Sequence, residues 1–183
     1  MNQDQDRTSV AGDGPRRGSR NEIEEAVGRV RSLLGGADID AALRYVNGRT
    51  RFRFTGIFQV DPPVLRNVRL IDRENPTLNI SGAVSTLDIG YCGIACSTRA
   101  PFVTGNARED ARLQSHPARD SMVSYAGVPI RMPGGMTWGT LCHFDGRPRL
   151  IAEQEIPILE ALTPLIAAWL ARNWGNPRFE TLT

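Results

Sequence analysis

Cys92 and Cys96 are four residues apart, so on a helix their thiols share one face. With His116, Cys142 and His143 they supply sulfur and imidazole, a mixed donor set that suits zinc or iron. The spacing argues against a metal site: there is no CxxC and no HxxxH, and adjacent Cys142 and His143 on a strand point to opposite faces. The three cysteines are instead expected to be small buried hydrophobes, with no metal held. A second cluster carries ionic chemistry. Asp110, Arg112, His116, Arg119 and Asp120 crowd the polar segment 106–121. Two guanidiniums and an imidazole can hold an anion, with the carboxylates orienting them. The same residues can also serve locally, His116 as a backbone cap and the charges as solvated loop.

The elements that position these residues follow from periodicity. Residues 1–19 are polar with almost nothing to bury and are expected to be disordered. Ile23, Val27, Val30 and Leu34 fall at helical spacing over Asn21–Leu34, with glutamates in the first turn and Gly35-Gly36 as the stop. This stripe lies on a terminal helix and is expected to pair with a second copy of the chain. Asp38 is placed to cap a helix running to Asn47, with Ile39, Ala42, Leu43 and Val46 on its apolar face. From Arg51 to Val60 the alternation predicts a strand with Phe52, Phe54, Gly56, Phe58 and Val60 on the core face. Asp61-Pro62-Pro63 turns the chain into a returning strand over Val64–Asp72, and 73–85 is polar and irregular. Asp88 is placed to cap a weak helix carrying Tyr91, Cys92 and Cys96, and Ala100–Thr104 is a candidate strand. Two strands flank Pro133-Gly134-Gly135 as a hairpin, with Pro129 expected at a bulge or an unpaired edge. A helix over Ala152–Ala171 contains Pro164, and 173–183 is expected to be a loose tail.

Composition narrows the function classes. A chain of 183 residues supports one domain with a genuine core. The net charge of +2 comes from scattered arginines, with no lysine and no basic block, so no nucleic-acid partner is expected. No apolar run is long enough to span a bilayer, and Arg16-Arg17 lacks the apolar stretch of a secretory signal. Three cysteines do not make a secreted disulfide framework, so the expected compartment is the cytoplasm.

The order of elements around SYAGVPIRMPGGMTWGTLCHFD, residues Ser124–Asp145, resembles the C-terminal half of a GAF domain. The resemblance runs from about Asp38 to about Ala171, and with the N-terminal helix it implies a domain over residues 20–172. It implies an α+β fold: an antiparallel sheet of five or six strands, helices on one face and a loop-covered pocket on the other. The segment 106–121 covers the pocket in such folds, so Arg112, His116 and Arg119, with Asp110 and Asp120, are expected to converge on the cavity. Tyr125 and Trp138 are expected to flank it, unless they are cross-strand core contacts.

The implied function is a small-molecule-sensing regulatory module that signals through a protein partner and works as a homodimer. The sequence names neither ligand nor cofactor. The alternatives are a thiol enzyme and an interaction module with an empty pocket. Gly90-Tyr91-Cys92-Gly93 is similar to a segment of the GAF proteins that reduce free methionine sulfoxide. Those proteins have a further cysteine just before the SYAGVPI-like strand, where this chain reads SHPARDSMV, leaving Cys96 as the substitute. The pair Cys142-His143 looks like the chromophore motif of phytochrome-like photosensors, but it lies inside a strand form common to GAF domains, so no bilin is expected.

Overall fold

The computed structural model describes residues 17–151 and 154–173. The expected tails fall almost wholly on residues 1–16 and 174–183, which lie outside the described residues. Helix α2 (Ile39–Gly48) forms where the helical periodicity places it, whereas α1 (Arg17–Gly35) starts ahead of the expected Asn21, so residues 17–19, expected to be disordered, are helical. Asp38 caps α2, its carboxylate accepting from the Ala41 amide at 2.8 Å.

Six strands form one antiparallel sheet. They are β1 (Phe54–Asp61), β2 (Val64–Asp72), β3 (Val84–Thr86), β4 (Phe102–Thr104), β5 (Ser124–Arg131) and β6 (Thr137–Asp145), in the order β3-β2-β1-β6-β5-β4. The β5–β6 hairpin turns at Gly134 and Gly135, whose φ values of 100° and 85° explain the glycine pair. Pro129 sits beyond the end of β4, which pairs only with Tyr125–Gly127, so its missing N–H faces an unpaired edge.

One face of the sheet is covered by α1, α2 and α4 (Glu155–Asn173). The α1 stripe corrects an expectation. Val30 and Leu34 are buried with Ala26, and Ile23 and Val27 pack on the same core, so the stripe is not left free for a second copy. The reason is α4, which is apolar on more than one side. It buries Ile158, Leu159, Leu162, Ile166, Trp169 and Leu170, and lies between α1 and β5.

The faces of β1 are inverted relative to the alternation first read. Thr55 and Ile57 point toward the helices, while Phe54 and Phe58 line a cavity on the other face; Phe52, before the strand, is buried against His143. Cross-strand register explains this. Ile57 pairs with Leu141 and Leu141 with Val128, giving one aliphatic row beneath the helices. Phe54 pairs with Phe144 and Phe144 with Tyr125, an aromatic row facing away.

That second face carries α3 (Cys92–Thr98) and the connecting segments. Asp88 does not cap α3: Leu87–Ile89 is a separate 3-10 turn, Gly90 follows in extended conformation, and Tyr91 is the N-cap without a side-chain bond. The segment 106–121 forms two such turns, Ala111–Leu113 and Pro117–Asp120. Together these pieces bury a smaller core around Tyr91, Phe102, Leu113, Ala118 and Tyr125.

Candidate functional site

A cavity of about 450 Å³ opens between the sheet and the segment that joins β2 to α3. Its floor comes from alternate positions of the strands: Phe54 and Phe58 of β1, Leu65, Asn67 and Leu70 of β2, Tyr125 of β5, and Cys142 and Phe144 of β6. Leu78, Ile80 and Ile89 roof it while remaining exposed, so apolar side chains stand at the boundary with solvent. Phe144 stacks on Phe54 with ring centroids 4.7 Å apart.

The polar groups of the site are few and placed. Arg53 lies over the Phe54 ring at 4.7 Å and grips Asp72 with two bonds of 2.8 and 2.7 Å, with Glu74 at 2.8 Å on its other nitrogen. That grip holds the Asp72 carboxyl below its ordinary pKa, against the opposing effect of burial. Asn67 is 4 % exposed and lines the cavity, yet its side-chain oxygen has no hydrogen-bond partner among the described residues. A bound molecule with a hydrogen-bond donor would satisfy it.

Two thiols complete the floor. Cys92 and Cys142 both line the cavity and are fully buried against one another. The Tyr125 hydroxyl donates to the Cys92 sulfur at 3.6 Å. Gly127 makes this possible: a Cβ there would collide with the Tyr125 phenol, which lies along β5 above it. Cys96 is absent from the lining, and burial pushes its thiol up to about 12. Among the described residues no group of three or more His, Cys, Asp and Glu side chains is arranged to hold a metal ion.

The residues expected from sequence are distributed differently. Tyr125 does line the cavity, whereas Trp138 is buried in the core under the helices. Arg112, His116 and Arg119 do not converge on it. Arg112 is locked to Asp110 at 2.6 Å, donates to the Val103 carbonyl and lies over Phe102 at 4.7 Å. His116 caps the turn at Pro117 by accepting from the Ala118 amide at 3.2 Å, packs edge-on against Tyr91, and has its pKa lowered by burial. Arg119 donates to the Arg108 carbonyl, and Asp120 pairs with Arg108 at 3.5 Å. The physical reason is local: backbone amides and carbonyls in and beside the turns of segment 106–121 need partners, and these side chains supply them.

The same segment of β6 shows why Cys142 and His143 cannot act together. Cys142 faces the cavity, while His143 faces α4, its Nε2 2.9 Å from Glu155 and its Nδ1 2.7 Å from the Thr55 hydroxyl. Asn47 donates to that hydroxyl at 2.8 Å, closing a buried polar chain beneath the helices.

The GAF domain model matches residues 23–170. The chain belongs to the GAF domain family. Solved GAF structures share the fold at low identity. The GAF domain of an Acinetobacter phosphoenolpyruvate-protein phosphotransferase is 16% identical with a TM-score of 0.67, covering 86% of this chain and 98% of that one. Free methionine-R-sulfoxide reductase from Neisseria meningitidis, in complex with its substrate, is 14% identical with a TM-score of 0.64, covering 88% and 95%. The chromophore-binding domain of a Stigmatella aurantiaca bacteriophytochrome is 12% identical with a TM-score of 0.60, covering 86% and 61%. No curated protein matches by sequence. GAF domains thus serve as sensors and as enzymes, and at these identities only the fold is shared.

Sequence reasoning missed Arg53, Asp72, Asn67 and the roof residues. One signal was present: Leu78 and Ile80 are apolar at alternate positions inside an otherwise polar segment.

Proposed function

We propose that this GAF domain is a regulatory sensor for a small molecule with a largely apolar body and a hydrogen-bond donor. The observation that carries the reading is the cavity of about 450 Å³, walled by aromatic and aliphatic side chains with the unpartnered side-chain oxygen of Asn67 in its floor. Leu78, Ile80 and Ile89 stand half in solvent over it, so a ligand that buries them stabilises one arrangement of the roof over others. A protein partner that contacts the roof would read that shift. The argument for homodimerisation through α1 falls away with its stripe buried, and the sensor needs no second copy to form its cavity. No described helix is long and apolar enough to cross a membrane, and a cytoplasmic sensor is part of this proposal.

N-phenyl-1-naphthylamine, an apolar fluorophore with one N–H donor, tests the reading directly. It should bind saturably at one site and raise the melting temperature. Leu70→Trp, which fills the cavity from β2, should weaken binding by about tenfold or more while the protein stays folded. No saturable binding, or binding indifferent to the substitution, would overturn the proposal. A methionine sulfoxide reductase has Cys92 on the cavity wall in its favour. Cys96, its expected resolving thiol, lies off the cavity, and a zwitterionic amino acid finds few polar partners in this lining.

A further inference from the structure

Cys92 enters the cavity from α3 and Cys142 from β6, so two thiols far apart in sequence meet on one apolar floor. We propose that Cys92 and Cys142 form a redox-active dithiol that an apolar organic hydroperoxide oxidises to an intramolecular disulfide. The inference rests on the cavity's taking apolar molecules, as proposed above.

Three features converge on it. The first is access. Cys142 is paired with Gly56 on one side and Gly127 on the other, so no Cβ from either neighbouring strand covers it at its own register position. The Phe58 and Tyr125 rings take the space above those glycines, and with both thiols they line the apolar cavity. The second is activation. The Tyr125 hydroxyl donates to the Cys92 sulfur at 3.6 Å within the buried floor. The third is a division of labour. Hydrogen bonding from Cys142 holds the Cys92 thiol below its ordinary value despite burial, whereas burial raises Cys142 and Tyr125 well above theirs. The hydrogen bond from Tyr125 singles out Cys92 as the nucleophile, with Cys142 as the thiol that resolves it.

The step balances as two thiols plus one hydroperoxide giving one disulfide, one alcohol and one water. The Cys92 thiolate attacks the terminal oxygen of R–O–OH and the O–O bond breaks. The departing alkoxide takes up the proton that Cys92 released and leaves as ROH, with Cys92 now a sulfenic acid. The Cys142 sulfur then attacks the Cys92 sulfur, the S–O bond breaks, and hydroxide leaves as water with the Cys142 proton. The oxidant is reduced by two electrons and the dithiol is oxidised by two. The new bond ties α3 to β6 across the cavity floor and changes the space offered to any other ligand.

The test uses the full chain, reduced, with cumene hydroperoxide as the apolar oxidant and hydrogen peroxide as the polar one. Each equivalent of cumene hydroperoxide should consume two thiols, and peptide mapping should find a Cys92–Cys142 disulfide. The reaction should run about tenfold or more faster than with hydrogen peroxide, because the cumyl group gains burial in the cavity. Cys92→Ser should be inert. Cys142→Ser should stop at a Cys92 sulfenic acid that dimedone traps, and Cys96→Ser should behave as wild type. Thiols that survive excess hydroperoxide, a disulfide that includes Cys96, or oxidation by free methionine sulfoxide alone would each overturn the proposal. Binding of N-phenyl-1-naphthylamine to the reduced protein separates the two readings. Probe binding with inert thiols removes only the dithiol, whereas failure of the probe to bind removes the cavity reading and this inference with it.

Discussion

Beneath the helices the row Ile57–Leu141–Val128 meets Ile158, Leu159 and Leu162 in a filled core, while one residue along the same strands the row Gly56–Cys142–Gly127 faces a cavity of about 450 Å³. The covering elements make the difference. Two 19-residue helices, α1 with its apolar stripe and α4 with a broader apolar surface, close one face together with α2. The other has the seven-residue α3, 3-10 turns and an irregular segment, whose own polar backbones take up much of their packing capacity. Polar groups follow the same division. Asn47, Thr55, His143 and Glu155 are linked to one another beneath the helices, whereas the Asn67 side-chain oxygen on the cavity side has no partner among the described residues. A filled face supplies stability, and a face with unfilled volume and unspent hydrogen bonds supplies a site.

The largest effect should separate the faces outright. Leu159→Ala, at a position with no exposed surface, should cost about 2–5 kcal/mol in chemical denaturation and leave N-phenyl-1-naphthylamine affinity unchanged. Phe58→Ala, at a half-buried cavity position, should cost clearly less and change the probe's affinity. Equal losses at the two positions would break the comparison. Of intermediate size is the polar contrast. His143→Leu should cost about 1–3 kcal/mol by leaving the buried Glu155 carboxylate without its imidazole partner and the Thr55 hydroxyl with Asn47 alone. Asn67→Leu should leave stability level or raise it, because a buried oxygen without a partner is removed, while weakening the donor-bearing probe.

The smallest effect is a dependence on acid. Arg53 lowers the Asp72 pKa, and Arg112 lowers that of Asp110 to about 2 from the ordinary 3.8. In the unfolded chain both carboxylates take up protons first, so stability is complete above the ordinary value and falls as pH drops from about 4 toward 2. Asp110→Asn should flatten part of that slope in acid titrations of melting temperature. Asp72→Asn should flatten another part and also loosen Arg53 at the cavity wall, a change the probe's affinity would show. A slope untouched by either substitution would mean that these pairs hold the cavity side less firmly than their geometry implies.

Much of the architecture was legible in the residues because it depends on signals local to one element. The Asp38 cap, the spacing of Ile39, Ala42, Leu43 and Val46, the Pro133-Gly134-Gly135 turn and the opposed directions of Cys142 and His143 all follow from a helical or two-residue period. What periodicity cannot state is which neighbour a face will meet. Phe54 and Phe58 mark the more aromatic side of β1, yet the register with β6 and β5 turns Ile57 toward the helices. The stripe of α1 showed that it would be buried, but only the broad apolar surface of α4 decided that the partner is the same chain. Arg112, His116 and Arg119 cluster in sequence and then serve their own turns, while Cys92 and Cys142, far apart in sequence, are brought side by side by α3 lying across β6. Local chemistry is written along the chain, whereas register and docking are set by how several elements share one volume.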